Sequence, residues 1–236
     1  MADAAHRRFK DRLYGQFARI GKALGSPHRL EVLELLAQSE RTVESLANEL
    51  HLSIANMSQH LQVLRAAGLV ETRREGLFIH YRLADDAVVP LSAALRRVAE
   101  RRLADLERLI RDEFKARSGT EAVSFEELLH RARRDDVVVL DTRPAHEYQA
   151  GHIPGALSVP VDELQHQLRR LPKGKKYVAY CRGPYCVYAD RAVEILHASG
   201  RRARRLTEGF PEWKAAGHPV EMAGGESWRG SSVVPR

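Results

Sequence analysis

The pattern of apolar residues changes near residue 118 of this 236-residue chain, and that change most constrains the fold. Before it, apolar residues recur every three or four positions, as they do in amphipathic helices. After it, short runs such as 137–140 and 177–180 are apolar throughout, and each precedes a loop and a helical stretch. Such runs are typical of strands buried in a parallel sheet. We therefore expect two domains: a mainly α domain followed by an α/β domain with a parallel sheet.

The composition excludes two broad classes of protein. With 44% hydrophobic and 29% charged residues, the chain is globular rather than disordered. No stretch reaches the roughly eighteen consecutive apolar residues of a membrane helix, so we expect no membrane contact. The first ten residues are charged and lack the apolar stretch of a secretory signal, which predicts a cytoplasmic protein. The net charge of +7 is compatible with a polyanionic partner.

Helix caps in the first half predict a series of short helices followed by a hairpin. Ser26-Pro27, Thr42 and Ser53 have the residue types that begin helices, and Gly68 ends the helix that starts after Ser53. Residues 70–83 then alternate between apolar and polar, which predicts a two-stranded wing. This order is that of a winged helix-turn-helix. The alternative is a small helical bundle with polar faces.

The second helix of such a pair enters the major groove, and the wing lies beside it. Asn and Gln side chains bond adenine, whereas arginine suits phosphates or the minor groove. The predicted DNA-contacting residues are Ala55, Asn56, Ser58, Gln59 and His60 on the helix, with Arg73 and Arg74 on the wing.

One long helix is predicted from Val88 to Arg117, with an apolar stripe close to a heptad repeat. A lone helix with one apolar face needs a cover. The first helix, which carries Phe9 and Phe17, is one candidate, and a second copy of the chain is the natural solution. We therefore predict a DNA-binding and dimerisation domain over 1–117 and a linker over 118–123.

Residues 17–82 resemble the ArsR/SmtB family of dimeric bacterial repressors. The resemblance rests on "ALGSPHRLEVLELLAQSERTVESLANELHLSIANMSQHLQVLRAAGLVETRREGLFIHYRL", and above all on Ser58-Gln59-His60-Leu61 followed by Ala67-Gly68-Leu69-Val70. It implies a repressor that binds double-stranded operator DNA as a homodimer through the first and last helices of this domain. Metal-sensing members place cysteines on the helix before the recognition helix or Asp and His on the last helix. Residues 41–50 contain no cysteine and residues 88–117 no histidine, so no metal is expected.

Cys181 follows the apolar run 177–180 and precedes a helical stretch at 187–197. In such a strand–loop–helix arrangement, loop amides and the helix dipole stabilise an anion and lower the pKa of a thiol. We therefore predict a reactive Cys181, held by the loop Arg182, Gly183, Pro184, Tyr185 and Cys186.

Residues 124–221 resemble a single rhodanese domain, and we place this domain at 124–223, with a flexible tail over 224–236. The matching segments are "VVVLDTRPAHEYQAGHIPGALSVP", "YVAYCRGPYCVYADRAVEIL" and "RLTEGFPEWKAAGHPVE". The resemblance implies that Cys181 takes sulfur from a sulfane-sulfur donor as a persulfide and passes it to a thiol acceptor. Asp141 and Arg143 match an Asp-x-Arg motif and are expected to support the loop as a buried ion pair. Position 187 is Val rather than the arginine of phosphatase and arsenate-reductase relatives, which disfavours those activities.

Two interpretations of Cys186 stay open: a resolving thiol that closes a link to Cys181, or a small core residue. Zinc binding is not expected, because no further ligands stand nearby in the sequence, and no cofactor is implied.

The leading hypothesis is a repressor whose rhodanese domain senses reactive sulfur or redox state through Cys181. One alternative is a sulfurtransferase with an accessory DNA-binding domain. The other is a DNA-binding protein whose rhodanese domain is an inert interaction module.

Overall fold

The computed structural model describes residues 2–114, 122–132, 137–222 and 227–228. It divides into two compact units, residues 1–88 and 89–236, which are described separately. Most of the predicted linker (118–123) and of the predicted tail (224–236) lies outside the described residues. The helix that begins at Val88 falls in the second unit, whereas the sequence assigns it to the DNA-binding domain. The functional boundary at residue 117 stays a prediction.

The first unit contains four helices and a three-stranded antiparallel sheet within its described residues. The elements are α1 (Ala2–Leu24), α2 (Pro27–Leu36), β1 (Arg41–Thr42), α3 (Val43–Glu49), α4 (Ile54–Ala66), β2 (Val70–Glu75) and β3 (Phe78–Leu83). The strand order is β1-β3-β2, so β3 lies between β2, its predicted partner in the wing, and the short strand β1. The winged helix-turn-helix prediction is confirmed, and β1 is an addition to it.

Local capping explains why these helices begin and end where they do. Thr42 Oγ1 accepts a hydrogen bond from the Ser45 amide at 3.3 Å, and Ser53 Oγ accepts one from the Asn56 amide at 3.2 Å. Ser26 occupies the cap position of α2, but its side chain makes no capping bond. Gly68, just beyond α4, has a φ of +75°, which glycine adopts without steric cost.

The core of the first unit fixes the orientation of α4. Met57, Leu61 and Leu64 lie on one face of that helix and are fully buried, together with Val32 of α2 and Leu46 of α3. Burial of this face leaves the opposite face of α4 in solvent.

The second unit begins with a pair of helices and continues into an α/β fold. Its elements are α5 (Val88–Arg102), α6 (Ala104–Glu113), β4 (Ala122–Val123), α7 (Phe125–Ala132), β5 (Val137–Asp141), α8 (Ala145–Ala150), β6 (Leu157–Ser158), α9 (Leu164–Gln167), a 3-10 turn (Leu168–Arg170), β7 (Lys176–Tyr180), α10 (Tyr188–Ala198), β8 (Ala203–Leu206), α11 (Phe210–Ala215), β9 (Val220–Glu221) and β10 (Ser227–Trp228). The single long helix predicted from Val88 is wrong, because extended backbone at Leu103 (ψ 100°) divides it.

Five parallel strands in the order β4-β8-β7-β5-β6 form the sheet of the second unit. Strands β5 and β7 are neighbours in register from Val137 opposite Lys176 to Asp141 opposite Tyr180. Alternate residues of these strands enter two separate hydrophobic clusters, one on each face of the sheet. This register places the carboxyl ends of β5 and β7, and therefore Asp141 and Cys181, at one edge.

Among the helices that the structure describes, none is both long and apolar enough to cross a membrane.

Candidate functional site

The outer face of α4 carries most of the side chains that the sequence predicts for DNA contact. Ala55, Asn56 and Gln59 are exposed, and Ser58 is half-buried beside them. His60 differs, because its ring packs 5.4 Å from that of His28 on α2. Burial, His28 and Arg29 lower the pKa of His60, so the ring is neutral at pH 7. Helical periodicity thus places four of the five predicted residues, all except His60, together on the solvent-facing side of α4.

The two arginines of the wing have different environments. Arg73 forms ion pairs of 2.9 Å with both Glu40 and Glu75, and these carboxylates raise its pKa. Arg74 is exposed, and its Nε donates to the carbonyl of Gly76 at 3.2 Å. DNA contact by Arg73 and Arg74 stays a prediction, and the two differ in that carboxylates within the protein balance the charge of Arg73.

The tip of the wing is apolar, which the sequence prediction missed. Leu77 is 92% exposed and the neighbouring Phe78 is also exposed. A bulky apolar pair directly after the turn at Gly76 is the signal that was available in the sequence.

The cysteine loop leaves the carboxyl end of β7 and returns to the start of α10. Cys181 is only 3% exposed. Its carbonyl accepts a hydrogen bond from the Phe210 amide of α11 at 3.2 Å. Gly183, Pro184 and Tyr185 form a turn, closed by the Cys186 amide, which donates to the Gly183 carbonyl at 3.2 Å. The loop is thus held at both ends and in the middle.

The Cys181 thiol is hydrogen-bonded to the backbone of its own loop, including that of Cys186. The Sγ of Cys181 lies 3.4 Å from the carbonyl oxygen of Cys186 and 3.7 Å from that of Gly183. Burial, then its hydrogen bond and charge interaction with Cys186, raise the pKa of Cys181 well above its usual range. Backbone amides at Ala189 and Gly183 oppose this rise but do not overcome it. The sequence prediction of a lowered pKa for Cys181 is wrong because desolvation outweighs the amide dipoles.

Cys186 is the thiol whose pKa is lowered. The hydrogen bond from Cys181 is the largest cause, followed, after the opposing effect of burial, by the amides of Tyr188 and Arg182 and the charge of Arg182. Cys186 is also packed against the hydrophobic cluster on one face of the sheet. It therefore combines both features considered from the sequence: contact with the first thiol and partial burial.

The guanidinium of Arg182 is paired with a buried carboxylate rather than directed only at a sulfur atom. Its guanidinium lies 2.7 Å from Glu147, which is fully buried, and 5.6 Å from the ring centre of Tyr188. The sequence analysis did not single out Glu147. The ion pair of Arg182 and Glu147 supports the loop. The charge of Arg182 makes only a small contribution to the lowered pKa of Cys186.

Asp141 and Arg143 form the expected buried ion pair beneath the loop. Both side chains are fully buried, and the Arg143 guanidinium lies 2.6 Å from Asp141. Arg143 also donates to the Gly151 carbonyl at 2.7 Å and lies over the Phe210 ring. The Tyr180 hydroxyl donates to Asp141. Because every group here is paired inside the protein, the cluster stabilises this edge of the sheet.

Within the described ranges, no group of three or more His, Cys, Asp or Glu side chains is arranged to hold a metal ion.

Comparison with protein families matches both halves of the chain. Residues 26–72 match the bacterial regulatory protein, arsR family, and residues 124–216 match the rhodanese-like domain. A relative, the HTH-type transcriptional regulator Rv0324 of Mycobacterium tuberculosis (strain ATCC 25618 / H37Rv), is 44% identical over 212 residues, covering 90% of this chain and 93% of its own. The chain is an ArsR-family transcriptional regulator with a rhodanese-like domain. The sequence predictions of both families and of the fold class are therefore confirmed.

Two further matches cover a smaller share of this regulator. The uncharacterized HTH-type transcriptional regulator Rv0081 of the same organism is 39% identical over 101 residues, which are 42% of this chain and 89% of that protein. A solution structure of the homodimeric winged helix-turn-helix domain Mb0332 from Mycobacterium bovis is 44% identical, with a TM-score of 0.39, and covers 41% of this chain and 89% of that one.

Proposed function

We propose that this regulator represses transcription as a homodimer bound to double-stranded operator DNA, and that sulfane sulfur at the cysteine loop changes that binding. The exposed face of α4, with Asn56 and Gln59, is the base-reading surface. Apolar residues on α1 and α5 suit a second copy of the chain, since Phe17 and Val98 are 59% and 61% exposed. The hydrogen bond of 3.4 Å from the Cys181 thiol to the Cys186 carbonyl, which places the two cysteines side by side, is the observation that carries the sulfur proposal.

The arrangement of the two thiols suggests separate roles in sulfur uptake. Cys181 reacts as its thiolate, and the proton it gives up passes to the Cys186 thiolate. This transfer is uphill, because the pKa of Cys181 is the higher of the two, and attack on the donor draws it forward. Cys181 Sγ then attacks the outer sulfur of a donor such as thiosulfate, the S–S bond of the donor breaks, and sulfite leaves with the bonding electron pair. The products are a Cys181 persulfide anion, a Cys186 thiol and sulfite. The amides of Gly183 and Ala189, which already bond Cys181, would hold the anion.

A second step would complete the signal. Cys186 Sγ attacks Sγ of the Cys181 persulfide, a disulfide forms between them, and the outer sulfur leaves as hydrosulfide with the Cys186 proton. The outer sulfur is reduced and the two cysteines are oxidised, so the donor is the only oxidant needed. A thiol acceptor would reopen the disulfide by exchange.

The test is a mobility-shift titration with DNA from the gene's own promoter. Wild-type protein, reduced or treated with polysulfide, is compared with Cys181→Ser and Cys186→Ser variants. We expect treatment to change the operator Kd of the wild type by about tenfold or more, within the usual range of allosteric coupling, and to leave Cys181→Ser unchanged. Equal affinity of treated and untreated wild type would overturn the sensing proposal.

Mass spectrometry of the same samples follows the sulfur atoms. Added sulfur on Cys181 in the Cys186→Ser protein, and a Cys181–Cys186 disulfide in the wild type, are the expected products. Sulfur found on Cys186 alone would contradict the assigned roles. Turnover of thiosulfate without any change in DNA affinity would favour the sulfurtransferase alternative instead.

A further inference from the structure

One side chain of the cysteine loop reaches the helices that open the second unit. Tyr185, the residue directly before Cys186, donates a hydrogen bond from its hydroxyl to the carboxylate of Glu100 on α5. Its ring stacks on Phe114, just after α6, with ring centres 6.3 Å apart and planes inclined by 21°. Both helices therefore touch the loop at the residue adjoining the resolving thiol.

A second connection joins α5 to the other end of the same loop. Arg96, one turn before Glu100, forms a 2.9 Å ion pair with Glu212 of α11, and both side chains are largely buried. Glu212 also accepts a hydrogen bond from the Gly209 amide at 3.1 Å. Gly209 lies directly against the loop, because a Cβ there would come within 2.5 Å of the backbone of Arg182 and Gly183.

The two connections leave from one face of α5, since residues 96 and 100 are a helical turn apart. The apolar residues Leu91, Leu95 and Val98 lie elsewhere on the helix and are exposed. The helix thus contacts the cysteine loop through polar side chains and offers solvent an apolar face, the one proposed above for dimerisation.

We infer that Tyr185 transmits the state of the Cys181–Cys186 pair to α5 through its bond to Glu100. The inference rests on the proposed function and adds its route of regulation. A disulfide between the cysteines requires Cβ atoms about 3.5–4.5 Å apart and a fixed dihedral angle, and it replaces the hydrogen bonds that the Cys181 thiol makes to the carbonyls of Gly183 and Cys186, so closing it changes the contacts of residues 183–186. Tyr185 is inside that segment, and its contacts with Glu100 and Phe114 are the first to change. The Arg96–Glu212 pair holds α5 in place, so the change acts as a shift of the helix segment around Glu100.

Two variants remove the link from opposite sides. Tyr185→Phe keeps the ring on Phe114 and removes only the donating hydroxyl, and Glu100→Ala removes the accepting carboxylate. Tyr148→Phe is the matched control, because its hydroxyl donates to the Ala156 carbonyl at 3.0 Å away from the loop. Glu107→Gln on α6 is the second control, since Glu107 pairs only with the exposed Arg111 among the contacts described.

The experiment uses the full chain in two oxidised forms. One is treated with polysulfide, and the other with diamide, which takes two electrons and two protons from the dithiol. Hydrogen exchange of peptides covering 88–102 is measured by mass spectrometry, together with the operator Kd. In the wild type and both controls, oxidation by either reagent should change the exchange of these peptides and shift the Kd by about tenfold or more. In Tyr185→Phe and Glu100→Ala, the Kd shift should fall below about threefold in samples whose measured fraction of disulfide equals that of the oxidised wild type.

The outcomes separate the two proposals. If diamide alters exchange in 88–102 of the wild type but polysulfide adds no sulfur, the sulfur proposal fails and the link stands. If the oxidised Tyr185→Phe and Glu100→Ala proteins respond as the wild type does, the link is wrong. An α5 whose exchange is the same in reduced and diamide-oxidised wild type also overturns it.

Discussion

The recognition helix and the cysteine loop place their functional side chains in opposite environments. Asn56 and Gln59 of α4 stand in solvent, where their chemistry is that of the free amide. Cys181 is buried and bonded to its own loop, so its neighbours reverse the pKa shift that strand–loop–helix geometry alone would give. The chemistry of an exposed side chain on α4 depends mainly on where the helix places it. The pKa of a buried thiol depends on all the groups packed around it.

The largest expected effect concerns the buried support of the loop. Asp141→Asn leaves Arg143 as an uncompensated buried charge and should lower the free energy of unfolding by about 3–5 kcal/mol. Urea denaturation measures it. The control is Asp162→Asn, whose partner Arg191 is exposed, with an expected loss below about 1 kcal/mol. Similar losses for both variants would mean that burial does not govern this region.

On α4, the amide side chains of Asn56 and Gln59 should contribute to DNA binding independently of each other. Asn56→Ala and Gln59→Ala should each weaken operator binding by about 1–3 kcal/mol and leave stability nearly unchanged. Fluorescence anisotropy with operator and unrelated DNA distinguishes lost base contacts from lost phosphate contacts. Equal losses on both DNAs would show that these side chains do not read bases.

The pKa directions of the two thiols give a pH prediction. Thiolate is the reactive form and exists above the pKa, so the lowered pKa of Cys186 gives it more thiolate at a given pH than an ordinary cysteine has. The raised pKa of Cys181 confines its intrinsic reactivity to alkaline pH. Alkylation by iodoacetamide at pH 7, followed by peptide mass spectrometry, should modify Cys186 about tenfold faster or more. Faster modification of Cys181 would restore the interpretation made from the sequence.

The smallest effect distinguishes the two arginines of the wing. Arg74→Ala should weaken DNA binding a few-fold. It should also reduce the slope of log K against log salt concentration by about one, the value for one lost phosphate contact. Arg73→Ala should change the salt dependence less, because Glu40 and Glu75 already balance its charge. Binding titrations over a range of salt concentrations measure both. Equal slopes for the two variants would show that the ion pairs of Arg73 open on DNA.

Predictions from the sequence succeeded where the cause is local or periodic. The caps at Thr42 and Ser53, the end of α4 near Gly68 and the buried runs of β5 and β7 all follow from neighbouring residues. The single helix predicted from Val88 is wrong because of the break at Leu103. Two contacts were not predicted at all, the pairing of Arg73 with Glu40 and that of Tyr185 with Glu100, because their partners are distant in sequence and no local pattern encodes them.

By itself, the sequence determined that this chain is a winged helix-turn-helix regulator joined to a rhodanese-like domain, because apolar periodicity and short motifs are written along the chain. Only the tertiary structure decided which thiol ionises more easily and which helix touches the cysteine loop. Desolvation and hydrogen bonding act between residues that are close in space but distant in sequence. The parallel sheet and α5 bring those residues together around the cysteine loop.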